Sequence, residues 1–217
     1  MAYTLVIGNK NYSSWSFRPW LFMKQSGVLF EETTLPLYKP EFEELIARYS
    51  PAGRVPVLLD GPLHIWDSLA ICEYVNETVR SGWPVDQAAR AHARSISAEM
   101  HSGFQSLRGQ CPMNARARGR RVPQTPELLR DIRRIDQMWK ECRERFGSTG
   151  SWLFGRFSIA DAMYAPVVLR FNTYGAELSP LSRQYVTSVL ADPHVGAWLA
   201  AAQAEPFTLE ETDAVGR

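Results

Sequence analysis

Two short stretches carry residues whose chemistry suits the binding of a small peptide. Val55–Leu59 and Leu63–Trp66 are β-type runs separated by Asp60-Gly61, a dipeptide that turns a hairpin because glycine accepts positive φ. Pro56 stands at the head of the first run, where a proline cannot donate to a sheet ladder. A cis Val55–Pro56 bond would turn the Val55 backbone outward and leave its N–H and C=O for a ligand. Alternatively, Pro56 merely begins an edge strand. Asp67 and Ser68 then fall where a helix begins. Both residue types cap helices, and a helix N-terminus offers unpaired N–H groups and a positive dipole end to an anion. The functional reading is a strand edge for a peptide with a carboxylate seat a dozen residues on; the plainer one is a capped helix.

Composition narrows the setting. The chain has 217 residues, 45% hydrophobic and 22% charged, with a net charge of +1. That suits one large or two modest domains with a full core. The apolar runs are short and broken by charge, so no membrane span is expected. The opening MAYTLVIGNK reads as a strand, without the layout of a signal peptide. Cys72, Cys111 and Cys142 are scattered, with no C-x-x-C, which predicts free thiols in a reducing, cytoplasmic compartment. The histidines at 64, 92, 101 and 194 lack metal-ligand spacing, and no metal is expected.

The elements that must position these residues follow from periodicity and punctuation. Thr4–Ile7 is a strand, Trp15–Gln25 a helix closed by Gly27, Val28–Leu37 a strand and Glu41–Tyr49 a short helix. The hairpin and a helix from Asp67 to Val79 complete a β-α-β-α-β-β-α order, which implies a small α/β unit built on one mixed sheet. Arg80–Pro84 breaks the pattern. The expected division is therefore a first domain over 1–80, a linker over 81–85 and an all-helical domain over 86–217. Five helices are predicted there: 86–109, Pro126–Phe146, Ser158–Phe171, Ser179–Leu190 and Pro193–Ala204, with no strand. Ser158-Ile159-Ala160-Asp161 has the S-x-x-D form of a capping box, which makes Asp161 structural. The Arg116, Arg118, Arg120 and Arg121 run lacks interleaved aromatics and sits in a near-neutral chain, so it reads as a solvated loop and not a nucleic-acid surface. The tryptophans at 20, 66, 83, 139, 152 and 198 read as core or interdomain packing.

This order, with Val-Pro before the third strand and an acidic-Ser pair opening the third helix, resembles the cytosolic glutathione transferase superfamily. Tyr12-Ser13-Ser14-Trp15-Ser16-Phe17-Arg18 is similar to the S-S-C-S-x-R signature of its zeta class, with Trp15 in place of the cysteine. Arg54-Val55-Pro56 with Asp67-Ser68 resembles the glutathione-contacting motifs, and Ser158–Asp161 the buried-helix element of the second domain.

The resemblance implies a thioredoxin-like first domain in which glutathione pairs its cysteinyl backbone with Val55, ahead of Pro56. Its γ-glutamyl carboxylate would accept from the Ser68 hydroxyl and amide, and Asp67 would attract the α-ammonium. Lys39 or Arg54 would meet the glycyl carboxylate. Catalysis needs a thiolate, whereas a free thiol has a pKa of about 8.5. Lowering it by about two units takes only about 2.7 kcal/mol. Ser13 is the implied principal donor with Ser14 beside it, Tyr12 a second choice, and pure helix capping the structural alternative. Trp15 argues against thiol–disulfide chemistry and suits packing or the acceptor pocket. Arg18 reads as a brace to the second domain, and Arg170 as a residue able to face the cleft. The implied function is transfer of glutathione to a small electrophile, with a homodimer as the assembly. The alternatives are cis–trans isomerisation of the maleylacetoacetate type, a non-catalytic binding module, or a disulfide reductase dependent on one of the cysteines.

Overall fold

Leu5, Val6 and Ile7 have no solvent exposure, and the strand that holds them is the spine of the sheet. The computed structural model describes residues 3–217; Met1 and Ala2, at the head of the expected first domain, lie outside the described residues. Strand β1 (Tyr3–Gly8) runs parallel to β2 (Phe30–Leu35) on one side, with Leu5 opposite Glu32. On its other side it is antiparallel to β3 (Val57–Asp60), which pairs with β4 (Leu63–Trp66). The sheet order is β2-β1-β3-β4, the mixed sheet expected from the element order. Gly61 takes φ +56° in the β3–β4 turn, a backbone state that favours glycine. The second strand is shorter than its apolar run suggests, because the chain leaves α1 through a turn at Gly27 before pairing begins at Phe30.

Helix α1 (Ser14–Gln25) is buried on every side over Ser16–Met23, Arg18 and Pro19 included. It lies against α3 (Ser68–Val79) and, from the helical part of the chain, against α7 (Ile159–Tyr174) and α9 (Pro193–Ala204). The short α2 (Phe42–Ala47) covers the other face of the sheet through Ile46, beside Val6, Leu35 and Val57.

After α3 come α4 (Gln87–Ser102), α5 (Gln105–Gln110), α6 (Pro126–Phe146), α7 (Ile159–Tyr174), α8 (Pro180–Leu190), α9 (Pro193–Ala204) and α10 (Glu210–Ala214). Every residue of α7 except Asn172 is buried, as a helix that is apolar all round must be. One apolar cluster runs from Leu5 of the sheet to Ala202 of α9 without a break.

Four expectations are corrected here. The helix predicted over 86–109 is two helices: Phe104 adopts φ +62° to sink its side chain into the core, and α5 leaves in a new direction. Arg108 of α5 folds back to donate to Gly103 O at 2.9 Å and to Met100 O, satisfying carbonyls at the end of α4. Second, the helical region holds seven helices and not five; α10 was missed because Glu210–Ala214 has no apolar period. Third, the arginine-rich loop is solvated at Arg118 and Arg121, as expected, but its backbone is also pinned. Ala115 N–H donates to Asn11 O at 3.0 Å, and Arg120 N–H to Thr173 O at 2.9 Å, with Arg118 and Arg121 exposed. Fourth, Trp66 is 47% exposed on the sheet edge, whereas Trp20 and Trp198 do pack between α1 and α9, 5.0 Å apart.

Asp161 closes the start of α7: its carboxylate accepts from Ser158 N–H at 2.9 Å, Ser158 Oγ at 2.9 Å and Leu153 N–H at 3.0 Å. Burial raises its pKa to about 6 despite these donors. Asp161→Ala strands two buried amides, each costing about 1–3 kcal/mol. Urea denaturation should therefore show a loss of about 3 kcal/mol.

Candidate functional site

A cleft opens where the ends of β1 and β3 meet the helical region. It has two lobes, of about 890 Å³ and about 390 Å³, which share Trp15, Arg54 and Val55 as lining residues. The larger is lined by Ser13, Ser14 and Lys39 on one side and by Arg108, Met113, Arg170 and Leu209 on the other. Pro56, Trp66, Asp67, Ser68 and His101 line the smaller. All eight predicted site residues (Ser13, Ser14, Lys39, Arg54, Val55, Pro56, Asp67, Ser68) thus border one or other of these two adjacent lobes.

The turn after β1 is set by Tyr12 and Ser13 N–H groups donating to Asn9 O at 3.1 and 2.8 Å. This delivers Ser13 to the N-cap of α1, where its Oγ accepts from Ser16 N–H at 3.4 Å and donates to Ser16 Oγ at 2.7 Å. Ser14 is bound differently: its Oγ accepts from Arg170 Nη2 at 3.3 Å, which leaves the hydroxyl proton of Ser14 uncommitted. Arg170 is 5% exposed; its Nε donates to Cys111 O at 2.9 Å and its Nη1 has no protein partner. Burial, followed by the charge of Arg108, lowers its pKa to about 10.

Trp15 is held between two cations, the Arg18 guanidinium at 4.2 Å and that of Arg108 at 4.7 Å from its ring. Arg18 has no exposure and donates through Nε to Met163 O of α7 at 3.2 Å, so it does bridge the two parts of the chain. Its remaining nitrogens have no partner, and burial drives its pKa well down; the aromatic face gives back part of that cost.

In the smaller lobe, the Val55–Pro56 bond is cis and the β3 ladder begins only at Val57, so the Val55 backbone stands outside the sheet pairing. Asp67, at φ +76°, caps α3 with Oδ1, which accepts from Leu69 and Ala70 N–H at 2.9 and 3.2 Å. Its Oδ2 lies 3.1 Å from His101 Nε2 of α4. Ser68 is 1% exposed, and its hydroxyl has no partner.

Tyr12, read as a second thiol donor, is committed elsewhere. Its hydroxyl donates to Asp213 Oδ2 at 3.0 Å and accepts from Leu209 N–H at 3.0 Å. Burial, ahead of any bond, raises its pKa. Asn114 Nδ2 also donates to Asp213, at 2.6 Å, and Arg116 Nη2 to Phe207 O at 2.6 Å, so the C-terminal segment is strapped across one wall of the larger lobe. The cysteines are buried and line neither lobe; burial pushes the thiols of Cys111 and Cys142 up to about 11 and about 12, and that of Cys72 still higher. That leaves them poor nucleophiles.

His101, Arg108, Met113, Leu209 and Thr212 were not read as site residues. They arrive through the α4–α5 break, the pinned loop and the strap, none of which has a local sequence signal.

Comparison with known proteins adds a family context. The model of the glutathione S-transferase N-terminal domain matches residues 12–78, and that of the C-terminal domain matches residues 114–201. A probable maleylacetoacetate isomerase of Caenorhabditis elegans is 38% identical over 98 residues, 44% of this chain and 45% of that protein. Rat maleylacetoacetate isomerase is 29% identical over 175 residues, 77% of this chain and 78% of that protein. With three of the curated relatives the shared stretch spans only 20 to 45% of their length. A glutathione transferase homolog from Burkholderia, solved with bound glutathione, superposes with a TM-score of 0.69 at 23% identity, covering 94% of this chain and 100% of that one. At that identity the likeness is one of fold.

The strap offers a direct check. Tyr12→Phe removes the donor to Asp213 and the acceptor of Leu209 N–H, at a cost of about 1 kcal/mol. Hydrogen exchange should speed up over 205–217 while the amides of β1 and α7 keep their protection.

Proposed function

This chain belongs to the glutathione S-transferase superfamily, and we propose that within it the protein binds glutathione, ionises its thiol and adds the sulfur to a small electrophile. The observation that carries the reading is the buried, unpartnered Ser68 hydroxyl in the lobe that also holds Asp67 and Val55. A buried hydroxyl without a partner is costly, and a ligand carboxylate would satisfy it. The α3 N-terminus adds amide donors to the same anion. The γ-glutamyl carboxylate then sits at Ser68, the α-ammonium at Asp67 and the cysteinyl backbone along Val55, an addition of a very short strand. Lys39 and Arg54, both exposed at the rim, serve the glycyl carboxylate.

The sulfur falls toward the start of α1. Its proton leaves to solvent, and the thiolate accepts from a serine hydroxyl near the helix N-terminus. Ser13 and Ser14 are both within the larger lobe. The free hydroxyl proton of Ser14, with Arg170 donating to its oxygen, supports Ser14 as the stronger donor, and Ser13 as the cap that fixes the turn. The thiolate sulfur then bonds to the electrophilic carbon, and the leaving group departs with the electron pair.

A second reading is favoured by one observation. Arg170 and Arg108 put two guanidinium groups in the lobe that would take the acceptor, which suits a carboxylate-bearing substrate and reversible thiolate addition in a cis–trans isomerisation. Glutathione-dependent isomerisation of maleylacetoacetate, set against conjugation of chlorodinitrobenzene, separates the two. The family likeness further supports a homodimer in the cytoplasm, and the exposed Leu63 and Trp66 on the edge strand β4 offer an apolar margin to a second copy. Sedimentation of the purified chain tests the dimer.

Calorimetry should show glutathione binding, with Ser68→Ala weakening it about tenfold, or about 1.4 kcal/mol. Ser14→Ala should raise the pKa of bound thiol and lower kcat by about tenfold to a hundredfold, the value of a hydrogen bond to a charged group. No heat and no thermal shift at millimolar glutathione would instead indicate a non-catalytic module.

A further inference from the structure

We propose that His101, reaching across from α4, is a positioning residue for the amino end of the bound peptide: it holds the one Asp67 oxygen left for a ligand ammonium, and so makes binding weaken in acid. This rests on the glutathione reading. Asp67 is the acidic side chain that lines the smaller lobe. Its Oδ1 is spent on the Leu69 and Ala70 amides, so a ligand cation has Oδ2 to meet. His101 Nε2 stands 3.1 Å from that same atom.

The imidazole is fixed in this place by its edge-on contact with Trp15, the ring centroids 5.3 Å apart at 81°. Its protonation state decides what it does. The neutral ring donates Nε2–H to Oδ2, orients the carboxylate and leaves its full negative charge for the ammonium. The doubly protonated ring adds a positive charge at 3.1 Å, and imidazolium and ammonium then compete for one carboxylate.

Two features of the surroundings favour the neutral form in the free protein. Nδ1 is buried without a partner, so a proton there would be a stranded donor. The charged groups facing the ring are Asp67 at the head of α3, Arg18 of α1 and Arg108 of α5; burial first, and then the two guanidinium groups, hold its pKa below the usual value, against the pull of Asp67. Since the bound ammonium lowers that pKa further, affinity is full above the titration range of His101 and is lost as pH falls through it.

The test uses the whole chain and S-methylglutathione, which has no ionisable thiol. Calorimetry at pH 7.5 and pH 5 should show affinity about five- to tenfold weaker in acid, the size of a shift of about 0.7–1 pKa unit. His101→Gln, which keeps a neutral N–H donor, should bind with a nearly flat pH profile, and a desamino analogue lacking the α-ammonium should be flat on the wild-type protein. Independently of any variant, the His101 pKa followed by NMR should fall when the ligand is added. A flat wild-type profile, a slope that persists in His101→Gln, or an unmoved His101 pKa overturns the proposal alone. Failure of S-methylglutathione to bind at either pH overturns the glutathione reading and the proposal with it.

Discussion

The seam between α1 and α7 is the constraint on which the rest of the molecule depends. Helix α1 has no free face: the sheet and α3 take one side, and α7 and α9 take the other. Its buried residues form one apolar cluster with those of the helical region. At this density a helix cannot slide or rotate by a fraction of a turn without opening voids. Ser13 and Ser14 therefore sit on a rigid element, and the polar contacts across the seam, Arg18 to Met163 O and Arg170 to Ser14, are held in register by packing. A hydroxyl that must meet a sulfur anion within hydrogen-bond reach gains most from such a mounting.

Electrostatics around Trp15 follow from the same seam. Arg18, Arg108 and Arg170 converge there, and each has its pKa lowered by burial first. A cluster of like charges in a dry site is a liability unless something offsets it. The Trp15 ring, between two of the cations, is one such offset, and backbone carbonyls of Met163, Cys111 and Gly103 are others. An anionic ligand in the cleft would be a further one. Asp67 is the exception in the smaller lobe, where its Oδ2 lies 3.1 Å from His101 Nε2.

How much of this could be read in the chain differs from element to element. The hairpin at Asp60-Gly61, the cap at Ser158–Asp161 and the helix over Pro126–Phe146 are local, and each appeared where its residues indicated. The eight residues read as a site also border one cleft, because the strand end, the cap of α3 and the start of α1 meet whenever this sheet order forms. The α4–α5 break was not legible. Gly103 is an unremarkable glycine until Phe104 must find the core, and only then does Arg108 turn into the cleft. The strap was not legible either, since LEETDA has no apolar period and is held by Tyr12 and Asn114, with Arg116 binding the Phe207 carbonyl just before it, up to 201 residues away in sequence.

By itself, the sequence determined the element order, the turn and cap chemistry and the residue types that border the cleft, since all of these are set within a few residues by backbone sterics and hydrogen bonding. Tertiary structure alone decided which hydroxyl keeps a free proton, which oxygen of Asp67 remains for a ligand and which cations face the cleft. Those outcomes depend on partners such as Arg170 for Ser14 and His101 for Asp67, brought together by core packing across long sequence separations that no local pattern encodes.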